Sequence, residues 1–174
     1  MEIAHIVPLA GEKPAQFAER LGREYANASI QKDKKCKGQF FTPLAISAFM
    51  GRLATPSKKK AFSVLDPGCG LAILSCALIE YQVEEATPEH IILVLYETDK
   101  KVLPFTKVVL NYLQVWCAKK KVALEFKLRE EDFVLDKCEC LGGADTLFGE
   151  VFGFEKYDYI ISNPPYFKLA KSDE

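Results

Sequence analysis

Histidine is scarce in this chain of 174 residues, which carries only His5 and His90. That scarcity removes the commonest ligand of zinc sites. The six cysteines do not replace it. Cys36, Cys69, Cys76 and Cys117 stand singly, and Cys138-Glu139-Cys140 lacks the two-residue spacer and second cluster of a metal site. No metal is expected, and the cysteines read as reduced core thiols. Long apolar runs are missing too. None approaches the ~18 residues of a membrane span, and Met1-Glu2-Ile3-Ala4-His5 lacks the basic-then-apolar layout of a secretory signal. The expectation is a cytoplasmic protein with no membrane partner. Charge of one sign is also absent. A net value of −1 gives no general attraction to phosphate and leaves only local basic patches for nucleic acid. Repeats and low-complexity stretches are not visible.

What the chain has is core-forming sequence. Apolar residues make up 49% and charged residues 27%, the balance of one soluble domain. Residues 14–28 have Phe17, Leu21 and Tyr25 four apart, which predicts an amphipathic helix with Pro14 in its first turn. A polar linker from Gln31 to Lys37 follows. Thr42-Pro43 predicts a second helix, with Thr42 as N-cap, Pro43 at the first helical position and an end near Ala54. Beyond Lys60 the pattern alternates. Strands are expected at Ala61 to Leu65, Ile91 to Tyr96, Val122 to Leu128 and Tyr157 to Ser162. Helices are expected at Ala72 to Tyr81 and Val102 to Trp116. Such alternation predicts an α/β fold with a mostly parallel sheet, right-handed crossovers and helices on both faces. Two segments are expected, residues 1–60 as a helical lead and residues 61–174 as the α/β part.

Ligands of parallel sheets bind beyond the carboxyl ends of the strands, and the candidate motifs all fall there. Asp66-Pro67-Gly68-Cys69-Gly70 follows the first strand. Gly68 and Gly70 permit close backbone approach, but a carboxylate beside them opposes phosphate and suits a cationic amino group. S-adenosylmethionine carries such an ammonium and a sulfonium as well. Glu97, after the second strand, is placed to take both hydroxyls of a ribose, with Asp99 in reserve. Asp132, after the third, either accepts from an adenine amino group or belongs to an exposed acidic turn. Asn163-Pro164-Pro165-Tyr166 follows the fourth. There an amide and free carbonyls can accept from a planar amine while an aromatic ring stacks on its plane, and the prolines supply no N–H to compete. The basic runs Lys32 to Lys37 and Lys58 to Lys60 read as solvated loops or phosphate contacts, and Lys119 to Lys121 as the complement of a helix C-terminus.

Taken in order, Gly38-Gln39-Phe40-Phe41-Thr42-Pro43, Asp66-Pro67-Gly68-Cys69-Gly70, Glu97-Thr98-Asp99, Asp132-Phe133 and Asn163-Pro164-Pro165-Tyr166 resemble the motifs of adenine-specific DNA methyltransferases. The likeness is to the amino-terminal catalytic part in type I and Eco57I-like restriction-modification systems, and it covers roughly residues 38 to 168. It implies a Rossmann-like fold that binds S-adenosylmethionine. It also implies methyl transfer to the exocyclic amine of a flipped adenine, and an attached restriction or specificity subunit as a possible partner. By resemblance, Phe41, Thr42, Pro43, Asp66, Gly68, Gly70, Glu97, Asp132 and Asn163 line the cofactor pocket. Asn163, Pro164, Pro165 and Tyr166 hold the base. Two departures stand out. Ala72 occupies a position where that family has glycine, and the family domain continues with further strands and a recognition region, so a fragment is expected here. RNA bases, protein glutamine, or a non-catalytic binding role are the competing expectations.

Overall fold

A computed structural model describes residues 6–28, 42–139 and 156–164. Its elements are, in order, α1 (Pro14–Ala28), α2 (Leu44–Leu53), β1 (Ala61–Pro67), α3 (Ile73–Glu85), β2 (His90–Tyr96), α4 (Leu103–Lys119), β3 (Ala123–Arg129), α5 (Phe133–Glu139) and β4 (Tyr159–Ile160). The four strands form one sheet in the order β3-β2-β1-β4. Every pairing is parallel, with Asp66 beside Leu95, Tyr96 beside Arg129, and Leu65 beside Ile160. The order reverses between β1 and β4, and such a switch point opens a crevice at the strands' carboxyl ends.

Side chains alternate across the strands, and the two faces are unequal. Val64, Leu93 and Leu95 join Phe17 and Leu21 of α1, Cys76 and Ile79 of α3, and Val109 and Leu113 of α4 in the main core. The intervening residues Leu65, Val94 and Tyr96 form a smaller cluster on the other face with Phe133 and Tyr157. Helix α1 therefore shares the sheet's core. Its Phe17 meets Tyr112 edge-on at 5.4 Å, and Tyr25 meets Phe105 at 5.3 Å. The α1 amino terminus is held by Glu80 of α3, which accepts from Ala15 N at 2.7 Å. Burial pushes that carboxyl up to about 7. Helix α2 lies so close on α3 that a Cβ at Gly51 would stand 2.9 Å from the Ala77 carbonyl carbon and oxygen. Only glycine permits that approach.

Four differences from the sequence expectations have local causes. Helix α2 starts at Leu44, with Pro43 as the extended N-cap at φ −60° and ψ 147°. The Leu44 N–H goes to Glu19 Oε1 of α1 at 3.0 Å, so a carboxylate from another helix does the capping expected of Thr42. Strand β4 is shorter than residues 157–162. Asp158 Oδ2 takes the Ser63 N–H at 2.8 Å in place of a strand carbonyl, while Asp158 N donates to Ser63 O at 3.0 Å and Ile161 N to Leu65 O at 2.9 Å on either side of the two paired residues. Helix α5 was not expected, yet Asp132 caps it, with Oδ1 accepting from Val134 N at 2.8 Å and Leu135 N at 3.1 Å. Finally, Lys58 to Lys60 precede β1, at the end of the sheet opposite the switch-point crevice. Lys59 pairs there with Asp158, and Lys60 with Glu89 at 3.1 Å. Lys119 and Lys120 close α4 as expected. The linker at residues 31–37 lies outside the described residues.

Candidate functional site

The chain leaves β1 through a loop pinned from two directions. Gly68 N and Cys69 N both donate to Tyr96 O of β2, at 3.0 and 2.9 Å. Gly70 O accepts from Thr106 Oγ1 of α4 at 2.6 Å, and Gly70 N donates to Glu97 Oε2 at 3.0 Å. Gly68 adopts φ +106°, with nothing within 4 Å of where a Cβ would stand. A side chain there would be strained and would project into open space beside the strand ends.

Asp66 closes β1 with only 1% of its surface exposed. Its Oδ2 accepts from Ser75 Oγ at 2.5 Å. Its Oδ1 is buried and has no hydrogen-bond partner among the described residues. Burial pushes the Asp66 carboxyl up to about 7, the Ser75 hydroxyl opposes the rise, and the Glu97 charge adds to it. An unsatisfied buried acceptor is costly unless a donor reaches it, and a cationic donor is the strongest answer. Cys69 is no nucleophile. Burial raises its thiol well above the ordinary range, and the neighbouring Asp66 and Glu97 raise it further.

Glu97 follows β2 and is half-buried. Besides Gly70 N it accepts from Asp99 N, at Oε1 and 2.7 Å. Two backbone N–H groups thus fix the carboxylate plane while lone pairs remain on each oxygen, the arrangement that a vicinal diol requires. Asp99 serves the adjoining helix: Oδ1 takes Lys101 N at 2.9 Å, and its carbonyl takes Val102 N and Leu103 N. Beyond β3, Asp132 is exposed and its Oδ1 is committed to α5. Beside it, Asp136 Oδ2 accepts from Tyr96 Oη at 2.7 Å and from Arg129 Nη1 at 3.2 Å, while the Arg129 guanidinium lies 5.3 Å from the Tyr96 ring centre.

Asn163 follows β4, across the switch point from Asp66. Its Nδ2 donates to Thr42 Oγ1 at 2.9 Å, joining residues 121 apart in sequence. Pro164 is exposed at the same rim, and Pro43 caps α2 next to Thr42. Phe41, Pro165 and Tyr166 lie outside the described residues. Gly70 and Glu97 are therefore hydrogen-bonded to each other, with Asp66 and Gly68 in the same loop tied to Ser75 and Tyr96, while Asn163 is bonded to Thr42, next to Pro43. Asp132 stands apart from both in its bonding. Ser75, Thr106 and Tyr96 escape a reading of the sequence, because each partner lies 9 to 40 residues away. No spacing rule links them. Among the described residues no group of three or more His, Cys, Asp or Glu side chains can hold a metal ion, and no helix is long and apolar enough to cross a membrane.

A parallel sheet with a glycine turn and an acidic mouth at its switch point defines a Rossmann-like α/β protein. The family follows from comparison. The N-6 DNA methylase profile matches residues 19–173, and the chain belongs to that family. It is 27% identical over 145 residues to the type II methyltransferase M.BsuBI of Bacillus subtilis, covering 83% of this chain and 27% of that protein. It is 28% identical over 149 residues to the type II methyltransferase M.PstI of Providencia stuartii, covering 85% and 28%. The chain thus spans little more than a quarter of these relatives' length. A Listeria monocytogenes structure assigned to the class I S-adenosylmethionine-dependent methyltransferases superposes with a TM-score of 0.55 at 17% identity, covering 96% of this chain and 44% of that one. That likeness bears out the α/β methyltransferase fold.

Proposed function

We propose that this chain carries the cofactor-binding and amine-binding parts of an enzyme that transfers a methyl group from S-adenosylmethionine to the exocyclic amine of adenine in DNA. The observation that carries the reading is the position of Asp66 and Asn163 on either side of the β1–β4 switch point. One is a buried carboxylate with a free acceptor oxygen, the other an amide beyond the neighbouring strand. The acid set fits the cofactor: the cationic amino group meets Asp66 Oδ1, the ribose hydroxyls meet Glu97, and Gly68 keeps the turn free of a side chain. Bound there, S-adenosylmethionine supplies a methyl group activated by its sulfonium. Pro43 and Asp132 complete the proposed cofactor side, with Phe41 from the preceding segment.

The chain's own contribution is orientation, worth several orders of magnitude when two reactants are held in line. Asn163 Oδ1 accepts one amine hydrogen and the Pro164 carbonyl the other, which turns the nitrogen lone pair away from the ring. Tyr166, which follows Pro165 in the motif, is the residue assigned to stack on the base. The target amine is paired inside duplex DNA, so the base is extruded before transfer. The setting is a cytoplasmic restriction-modification system, with a restriction or specificity subunit as partner.

The protein as it occurs in its host is incubated with methyl-labelled S-adenosylmethionine and DNA lacking adenine methylation, and the labelled nucleosides are then separated. Label in N6-methyladenine, abolished by Asn163→Ala with cofactor affinity kept, is expected. Label in RNA or in protein glutamine instead of DNA would overturn the acceptor assignment.

A further inference from the structure

The carboxamide of Asn163 has two nearly isosteric ends that differ in hydrogen-bond character. Its oxygen only accepts and its nitrogen only donates. An amine acceptor donates, so it meets the oxygen productively and is repelled by the nitrogen. A hydrogen-bond partner on the far side anchors the amide, and with Nδ2 engaged there the oxygen is left for the substrate. Here that partner is Thr42 Oγ1, 2.9 Å from Nδ2, on a residue with 7% of its surface exposed. The Thr42-Pro43 turn is itself held from below. Glu19 Oε1 takes Leu44 N at 3.0 Å, Arg23 pairs with Glu19 Oε2, and Ser47 Oγ and N both donate to Pro43 O. Helix α1, which carries Glu19, is anchored in the main core by Phe17 and Leu21.

We propose that Thr42 is a positioning residue for the acceptor side of the site: its hydroxyl holds Asn163 with Oδ1 turned toward the substrate amine, and Glu19 holds Thr42 at the required height. The inference rests on the reading of Asn163 as the ligand of the acceptor amine. It moves Thr42 from the cofactor to the acceptor. A rotated amide offers two N–H groups to a nitrogen that must keep its lone pair free for the methyl group, so loss of the hydroxyl lowers the fraction of productive complexes. Binding of S-adenosylmethionine does not depend on that orientation.

Thr42→Val keeps the shape and removes the hydroxyl, and Thr42→Ser restores it. In the protein as it occurs in its host, Thr42→Val is expected to lower kcat for DNA methylation about tenfold to a hundredfold, as for a misplaced catalytic group, with the KM for S-adenosylmethionine within about twofold of the original. Thr42→Ser recovers most of kcat. Glu19→Ala gives the same split more weakly, and Glu19→Gln, which keeps the accepting oxygen, does not. A raised KM for S-adenosylmethionine at unchanged kcat would make Thr42 a cofactor ligand and overturn the proposal, as would a Thr42→Val enzyme with unaltered kinetics. Independently of turnover, Thr42→Val is expected to shift the NMR resonances of the Asn163 side-chain amide protons, because one N–H loses its acceptor. Identical spectra for the two proteins sink the idea even if activity falls. Asn163→Ala separates the two levels of argument. If it retains activity, the acceptor reading itself fails; if it is inactive while Thr42→Val is normal, only the role of Thr42 falls.

Discussion

Ser75 holds one oxygen of Asp66 at 2.5 Å and leaves the other buried without a partner among the described residues. The pair sits where β1 ends and α3 begins, so strand, glycine turn and helix all bear on one carboxylate. Burial and the Glu97 charge both favour its protonated form. The site is thus strained electrostatically in a sense that a proton or a cationic ligand relieves.

This relation predicts a pH-dependent affinity. With the Asp66 carboxyl at about 7, the free protein holds a proton that a cationic ligand must displace. Affinity for S-adenosylmethionine should rise by up to about tenfold per pH unit as pH approaches 7 from below, then level off. The sign for the unliganded protein is opposite. A carboxyl raised in the folded state contributes stability that is complete below its unfolded value and is lost as pH rises through about 7. The melting-temperature increase on cofactor addition should therefore grow with pH. Asp66→Asn should remove the slope, and Ser75→Ala should move its midpoint upward, because the serine hydroxyl favours the charged form. Calorimetry in buffers of different ionisation enthalpy reads the proton directly, and no proton release near pH 6 would dismiss the coupling.

Glu97 has two duties, and its removal should show both. The carboxylate accepts from Gly70 N and Asp99 N, which hold the glycine turn and the entry to α4. Glu97→Ala should cost about 1–3 kcal/mol in cofactor binding, the range for hydrogen bonds to a charged group. It should also lower the urea midpoint, since two N–H groups lose their acceptor. Unchanged cofactor affinity with lowered stability would leave Glu97 a purely structural role.

Periodic and local signals were readable in the sequence. Strands β1 to β3 and helices α1, α3 and α4 lie where alternation and the four-residue spacing of Phe17, Leu21 and Tyr25 put them, and the parallel sheet follows from their order. Asp66, Glu97 and Asn163 stand at strand ends because the crossover rule fixes which end carries ligands. What could not be read was partnership across the chain. Thr42 looks like an N-cap because Thr-Pro is a helix-start signal, yet Glu19 captures the free N–H and releases the hydroxyl to Asn163. Ser75 and Thr106 sit one helical turn or more from any motif, and only packing brings them to Asp66 and Gly70. Helix α5 was legible in principle, since Asp132 precedes the apolar run Phe133-Val134-Leu135. Its brevity, seven residues, kept the period from showing.

Ala72 stands where the resembling enzymes have glycine, and its geometry predicts how much that matters. It adopts φ 58° and ψ 26°, a left-handed conformation, at the entry to α3. For a residue with a Cβ this costs roughly 1–2 kcal/mol, so glycine should relieve strain. Two effects oppose the relief. The Ala72 methyl is fully buried in the main core, and deleting it loses about 0.8 kcal/mol of burial. Glycine also adds about 0.4–1 kcal/mol of unfolded-chain entropy. The sums nearly cancel, so Ala72→Gly should change unfolding free energy by less than about 1 kcal/mol. Replacement by valine, in contrast, should cost well over 1 kcal/mol, because a β-branched side chain is a true outlier at this φ and the surrounding core is closed. Cofactor affinity of the glycine variant should stay within about threefold, since Gly68 and Gly70 are held by Tyr96, Glu97 and Thr106 rather than by Ala72. Urea unfolding of the two variants, with calorimetry on the first, tests the balance. A glycine variant more than about 2 kcal/mol less stable would mean that the methyl group matters far more to the packing of α3 than burial alone accounts for.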